Sequence, residues 1–284
     1  MNNLVTKLKT WNRDRLNSRR DTKFNTVLSN AFDRAPLGLD QLKRIASDSC
    51  KVHLVAEGRR KLAVYSTYFG IFNNKTLSPL SVSASFDHYF VSNNEKILYA
   101  VERCGWKPIF LDLEVSPNRI LSAQQAKVPK ALPHIFHGLN SYDYLLYVDD
   151  KIDFNVHAIS TLIDAMGRGD SSLMIRIHPS LRGNILNEFA AAMIQPRYQA
   201  QRDQTVEYID RQLKNGMQLK VDDLYWTSAI LRNTSHPDTI LINEMWYKNI
   251  MDCGIECQIS FDFIAQQFHS IAVMPADPVY FKRA

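Results

Sequence analysis

The chain has 284 residues, of which 45% are apolar and 22% charged, with 10 Gly and 11 Pro. This ordinary globular balance excludes a fibrous repeat and a disordered chain, and the length suits one large α/β domain or two small ones. The net charge of +5 suits a polyanionic ligand, an anionic membrane surface or a slightly basic solvated exterior, while the dispersal of the basic residues argues against nucleic acid.

Residues 1 to about 55 read as a basic helical extension, with Leu4, Leu8 and Trp11 at helix-like spacing. Such a segment packs on its own domain or rests peripherally on anionic lipid. The domain proper is expected over 56–284. No apolar core of a signal peptide and no stretch of about 18 uncharged apolar residues is visible, so the expected location is the cytoplasm, with the inner face of the membrane as a peripheral alternative. Cys50, Cys104, Cys253 and Cys257 are too few and too scattered for a disulfide framework. Cys253 and Cys257 are expected to pack in the core from one helix face.

The regular pattern starts with a buried strand over 62–67. After a loop rich in Gly70, Asn73, Asn74 and Pro79 come a strand over 87–92, a short helix over 96–103 and a strand over 106–111. A helical stretch follows Asn118 and is expected to break at Pro129 and Pro133. The run YLLYV (144–148) is the most apolar strand, and Asp149–Asp150 ends it. A helix over 156–166 and a strand over 172–177 precede a long helix expected from Arg182 to Asn215, interrupted near Pro196. A strand over 225–231 and helices over 238–253 and 259–267 complete the chain. This alternation predicts an α/β fold, a mostly parallel, doubly wound sheet with helices on both faces. Neither GxGxxG nor GxxxxGK[ST] occurs, so a bound nucleotide must be held in another way.

In open α/β sheets ligands bind outside the carboxyl ends of the strands, near a topological switch point. Asp149 and Asp150 fall at such an end, where hard oxygen ligands can hold Mg²⁺ or Mn²⁺; acids that merely close a strand in a solvated turn would look the same. Lys127 and Lys130, on a loop stiffened by Pro129 and Pro133, can contact phosphate, or be surface charges. His178 follows another buried strand and is a candidate metal or phosphate ligand, or a structural histidine. Gln258 and Asp262, four apart, share a helix face and are candidates for the reacting centre of a sugar transfer, whose transition state is oxocarbenium-like.

In order, AVYSTYFG, DHYFVSN, WKPIF, KVPKALPH, YLLYVDD, IHPSLRGNILNEF and ECQISF resemble a bacterial and plant family of glycosyltransferase-like proteins, long classed as a domain of unknown function, with mucilage-related plant members. The resemblance runs from about Lys61 to Phe268. It implies a GT-A-like (Rossmann-like) fold, a nucleotide sugar at the carboxyl edge of the sheet and a divalent metal. Position by position, Asp149 matches the acid after the strand, Lys130 and His134 a lysine and a Pro-His, His178 a His-Pro, and Arg182 with Glu188 the arginine and glutamate that open a helix. Gln258 matches the glutamine of a terminal Arg-Asp-Gln-Leu-Ser-Phe motif, which here reads Glu256–Phe261 with its basic and acidic positions changed. Asp150 stands where a glycine is more usual.

The resulting expectation is transfer of a sugar from a UDP- or GDP-sugar to a glycan or lipid-linked acceptor, in cell-surface polysaccharide synthesis. Tyr65, Thr67 and Asn93 would contact base and ribose. Lys127, Lys130, His134, Arg182 and Glu188 would serve the donor, Asp149, Asp150 and His178 the Mn²⁺ or Mg²⁺, and Gln258 and Asp262 the reacting sugar. Two alternatives stand beside it: a nucleotidyltransferase, and a non-catalytic glycan- or partner-binding module on a decayed transferase scaffold.

Overall fold

A computed structural model describes residues 37–48, 60–72, 82–150, 152–275 and 279–281. Leu4, Leu8, Trp11 and Cys50 lie outside them, as do Asn73, Asn74 and Pro79. Seven strands form one sheet in the order β3-β2-β1-β4-β7-β6-β8. They are β1 (Arg60–Thr67), β2 (Asp87–Ser92), β3 (Lys107–Phe110), β4 (Tyr142–Val148), β6 (Leu173–Asn184), β7 (Lys220–Asn233) and β8 (Ile271–Val273). β7 runs antiparallel to both β4 and β6, and every other neighbouring pair is parallel. The fold is a mixed α/β one with a mostly parallel central sheet, as the alternating pattern predicts. β5 (Ile152–Phe154) and β9 (Val279–Phe281) form a separate antiparallel pair.

Both faces of the sheet are covered, so its central strands are apolar on both sides. Ala63, Tyr65, Leu145 and Tyr147 join one core cluster, while Leu62, Val64, Leu146 and Val148 join the other. The first cluster is closed by α1 (Leu39–Asp48), α3 (Arg119–Ala131), α8 (Pro237–Cys253) and α9 (Cys257–Ala265), which contribute Leu42, Val128, Trp246 and Phe261. The second is closed by α2 (Glu95–Glu102) and α4 (Val156–Gly169) through Val101 and Leu162. Trp246 is completely buried; truncating such a ring to alanine costs about 3–5 kcal/mol. A third cluster joins α5 (Ile185–Ala192) and α7 (Arg202–Lys214) to β7 and α9, with the single turn α6 (Pro196–Gln199) between those two helices.

Three sequence expectations need correction. Pro129 does not break its helix: α3 continues to Ala131, because a proline in the last turn forfeits one hydrogen bond while Leu132 N–H still closes onto Val128 O. The KVPK stretch is therefore helix rather than loop. Arg182 opens no helix, since β6 extends to Asn184 by pairing with β7, Arg182 opposite Asp223 and Asn184 opposite Lys220. The helix starts one residue later, where the Asn184 side chain accepts from Leu186 N–H. Cys253 and Cys257 do not share a helix, because Gly254 (φ 112°) ends α8 between them.

Candidate ligand-binding cleft

β2 and β3 lie on one side of β1 and β4 on the other, so the sheet reverses its order between β1 and β4. The carboxyl ends of these two strands border a cleft of ≈ 790 Å³, at the position where open α/β sheets receive ligands. Thr67 and the turn Tyr68–Ile71 form its rim after β1. α3 supplies Arg119, Ser122, Lys127 and Lys130, and β4 supplies Tyr147 with Asp149 and Asp150 just beyond. The far wall holds Glu188 of α5, Arg197 and Tyr198 of α6, Trp226 and Thr227 of β7, and Ile255–Gln258 at the start of α9. β7 reaches the cleft with its first half because it is antiparallel, and Asp149 N–H donates to Ser228 O at 2.9 Å.

At the centre, Lys130 Nζ stands 3.2 Å from Asp149 Oδ1 and 5.0 Å from the centre of the Tyr147 ring. Tyr147 OH donates to the same Oδ1 at 2.7 Å. Burial works most strongly on the Lys130 ammonium and against it, but Asp149, Cys257 and Glu256 together outweigh it and the net pKa is raised. Lys127 Nζ lies 3.2 Å from Cys257 Sγ. Glu256 caps α9 by accepting from Gln258 N–H. The cleft therefore sets Arg119, Lys127, Lys130 and Arg197 against Asp149, Asp150, Glu188 and Glu256, a mixed lining in which α3 carries three of the four cations.

Of the residues picked from sequence, Thr67, Lys127, Lys130, Asp149, Asp150, Glu188 and Gln258 meet in this cleft. The others do not line it. Tyr65 is fully buried and its hydroxyl, pushed up to about 12 by burial, accepts from Arg232. Asn93 is a scaffold residue: its side chain accepts from Gly70 N–H and donates to Glu114 O and Gln125 Oε1. His134 faces a separate cavity shared with Arg232 and Asn243. Arg182 is half exposed, 3.9 Å from Asp223. His178 Nδ1 accepts from the backbone of Ser180 and Leu181, so the irregular stretch of β6 between Ile177 and Arg182 fixes the ring on its own strand. Asp262 is 2% exposed and accepts from Tyr225 N–H; Gln258 and Asp262, though four apart, serve the cleft and the core respectively.

Arg119, Arg197 and Trp226 escaped the sequence reading. Arg119 directly follows the helix cap Asn118, a readable signal. Trp226 carries none, since its place depends on the direction of β7. Arg176 stacks on that ring at 4.3 Å.

A divalent cation fits here only as a partner of the ligand. Among the described residues no group of three or more His, Cys, Asp or Glu side chains is arranged to hold a metal ion. Magnesium sites commonly use one or two carboxylates and complete the shell with phosphate oxygens and water, a donor set that Asp149 and Asp150 can begin. Among the described residues no helix is long and apolar enough to cross a membrane.

A scan against protein-family models gave no match, and neither did a search of the curated proteins. Solved structures similar to this chain include mouse xyloside xylosyltransferase 1 in its apo form, at 11% identity and TM-score 0.39, over 75% of this chain and 84% of that one. The apo structure of the bifunctional glycosyltransferase WbbM is similar at 11% identity and TM-score 0.44, over 78% of this chain and 40% of WbbM.

Proposed function

We propose that the chain transfers a sugar from a nucleotide-diphosphate donor to a hydroxyl acceptor, a glycan or a lipid-linked glycan. The observation that carries this reading is the cleft at the β1–β4 switch point, where Lys127 and Lys130 from one helix meet Asp149 and Asp150 from the end of β4. Its volume and the cations that α3 places along one wall suit a nucleotide diphosphate. The rim after β1 places Thr67 and the turn Tyr68–Ile71 beside the base and ribose. Lys127 and Lys130 then face the diphosphate, where charge accumulates as the bond to the sugar breaks; fixed cations aimed at developing charge are a large source of catalysis. Asp149 and Asp150 would hold Mn²⁺ or Mg²⁺ jointly with the diphosphate, and the ion would act as a Lewis acid on it. The resemblance of the ordered segments to the glycosyltransferase-like family supports the same reading.

The test is calorimetric titration of the purified chain with UDP, GDP and their sugars, with and without Mn²⁺. Saturable binding that weakens at least about tenfold in Lys130→Met is expected, since a charge-assisted contact to phosphate contributes about 1.5–3 kcal/mol. Absence of binding to every nucleotide tried sinks the proposal.

A further inference from the structure

Glu188 lies in the first turn of α5, four residues past the capping Asn184. It lines the cleft yet is only 5% exposed. Its Oε2 is buried and has no hydrogen-bond partner. The Gln258 side chain hydrogen-bonds the carboxyl group, and His178 Nε2 stands 3.8 Å from Oε2, beyond hydrogen-bond reach. A buried carboxylate oxygen without a donor is destabilising, and glutamine would fill the same space without the charge. Packing therefore does not explain the acid.

The groups around it supply no fixed cation. Glu256, Gln258 and Asp262 face it from α9 and its cap, and His178 faces it from β6. The His178 pKa is itself lowered, chiefly by burial, which leaves that ring neutral near pH 7. Burial first, then the charge of Glu256, push Glu188 up to about 7 against the opposing Gln258 hydrogen bond. A carboxyl group with that affinity for a proton, on a residue of the cleft wall and with one oxygen left without a donor, is equipped to receive a hydroxyl once the side chain turns that buried oxygen toward the cleft.

We propose that Glu188 is the proton acceptor of the transfer reaction, a role that rests on reading the cleft as a sugar-transfer site. The acceptor hydroxyl would donate to Oε2. As its oxygen forms a bond to the anomeric carbon, its proton passes to Glu188, and the bond from that carbon to the diphosphate breaks with the electron pair leaving on phosphate oxygen. One displacement of this kind inverts the anomeric configuration. The protonated Glu188 returns its proton to solvent once the product departs.

Water can serve as the acceptor in the test. Wild-type chain, Glu188→Gln and Glu188→Asp are incubated with a panel of UDP- and GDP-sugars and Mn²⁺, and release of free nucleotide is followed from about pH 5 to about pH 9. Donor affinity is measured by calorimetry, folding by thermal melting, and the configuration of the released sugar by proton NMR. Below about pH 7 the wild-type rate should rise about tenfold per pH unit and then level; Glu188→Gln should be slower by about 100-fold and flat in pH, with donor affinity kept within about threefold. Glu188→Asp should recover part of the rate and the pH dependence, and the released sugar should be inverted. Equal rates and profiles in Glu188→Gln and wild type overturn the proposal, as does retained configuration or a donor that binds and is never cleaved. Failure of every nucleotide sugar to bind the wild-type chain overturns the cleft reading as well, so the two failures are distinguishable.

Discussion

Lys130 Nζ and Asp149 Oδ1 stand 3.2 Å apart, the lysine side chain 5% exposed and the aspartate 25%. The pair ties the last turn of α3 to the end of β4 at the floor of the cleft. Removing one member of a buried pair strands the other charge, which costs about 3–5 kcal/mol; the partial exposure of Asp149 argues for the lower end. Asp149→Asn should therefore lower stability by about 3 kcal/mol, read from the urea midpoint. Combining it with Lys130→Met should restore part of that loss, and a fully additive double variant would show that the two groups do not interact.

Arg232 is completely buried and donates to Asn243 Oδ1, Tyr65 OH and Lys130 O at 2.9, 2.8 and 2.7 Å. None of these partners is a carboxylate. The Lys130 carbonyl belongs to the last turn of α3, the negative end of the helix dipole, so Arg232 finds its counter-charge there. It thus holds the backbone of the residue whose side chain meets Asp149. Arg232→Met should destabilise the fold by about 3 kcal/mol, and Arg232→Lys should recover little, since an ammonium lacks the planar fork that spans three separate acceptors. Urea unfolding of both variants measures this. Full rescue by lysine would show that charge alone matters.

The short apolar runs over 62–67 and 144–148 were enough to place two central strands, and the acids after the second marked the cleft. Both signals are local, written in side chains that alternate across a sheet covered on each face. The far wall was not legible, because it depends on β7 running antiparallel and on β6 extending to Asn184, and both follow from strand pairing across more than 35 residues. Tyr65 on β1 and Asn93 just past β2 were picked by type and position, but the first sits in the core and the second supports a turn. Which side of a strand end reaches ligand was decided by packing partners far away in sequence.

The turn after β1 rests on Asn93. Gly70 donates its N–H to Asn93 Oδ1 at 3.2 Å and its carbonyl accepts from Asn94 Nδ2 at 2.9 Å. Its φ of 105° is one that other residues rarely adopt, and an added Cβ would come 2.6 Å from Ser122 Oγ. Gly70→Ala should therefore cost about 1–3 kcal/mol in thermal or urea unfolding. The same change should weaken nucleotide binding through the displaced rim, and so should Asn93→Ala, although Asn93 does not line the cleft. Unaltered affinity in both variants would detach this turn from the ligand.

Asp262 shows how burial alone shapes the pH response of the fold. Its carboxyl is 2% exposed, Oδ1 accepts from Tyr225 N–H at 2.9 Å, and Oδ2 is buried with no hydrogen-bond partner. Burial pushes its pKa well above the ordinary carboxylate value, only partly opposed by the Tyr225 hydrogen bond. An acid raised in this way binds its proton more tightly in the folded state than in the unfolded one. Its contribution to stability is therefore fully present below the unfolded pKa and is lost as pH rises through the folded pKa. Asp262→Asn keeps the volume and an oxygen for Tyr225 while removing the titration. Its melting temperature relative to the chain that keeps Asp262 should climb as pH rises above the usual carboxylate range, with little difference at more acidic pH. Glu188 shifts in the same direction and its charge adds to the rise at Asp262, so both chains carry Glu188→Gln and the difference between their melting curves isolates Asp262. A gap between the curves that stays constant with pH would mean that Asp262 is ionised in the fold and that a donor reaches Oδ2.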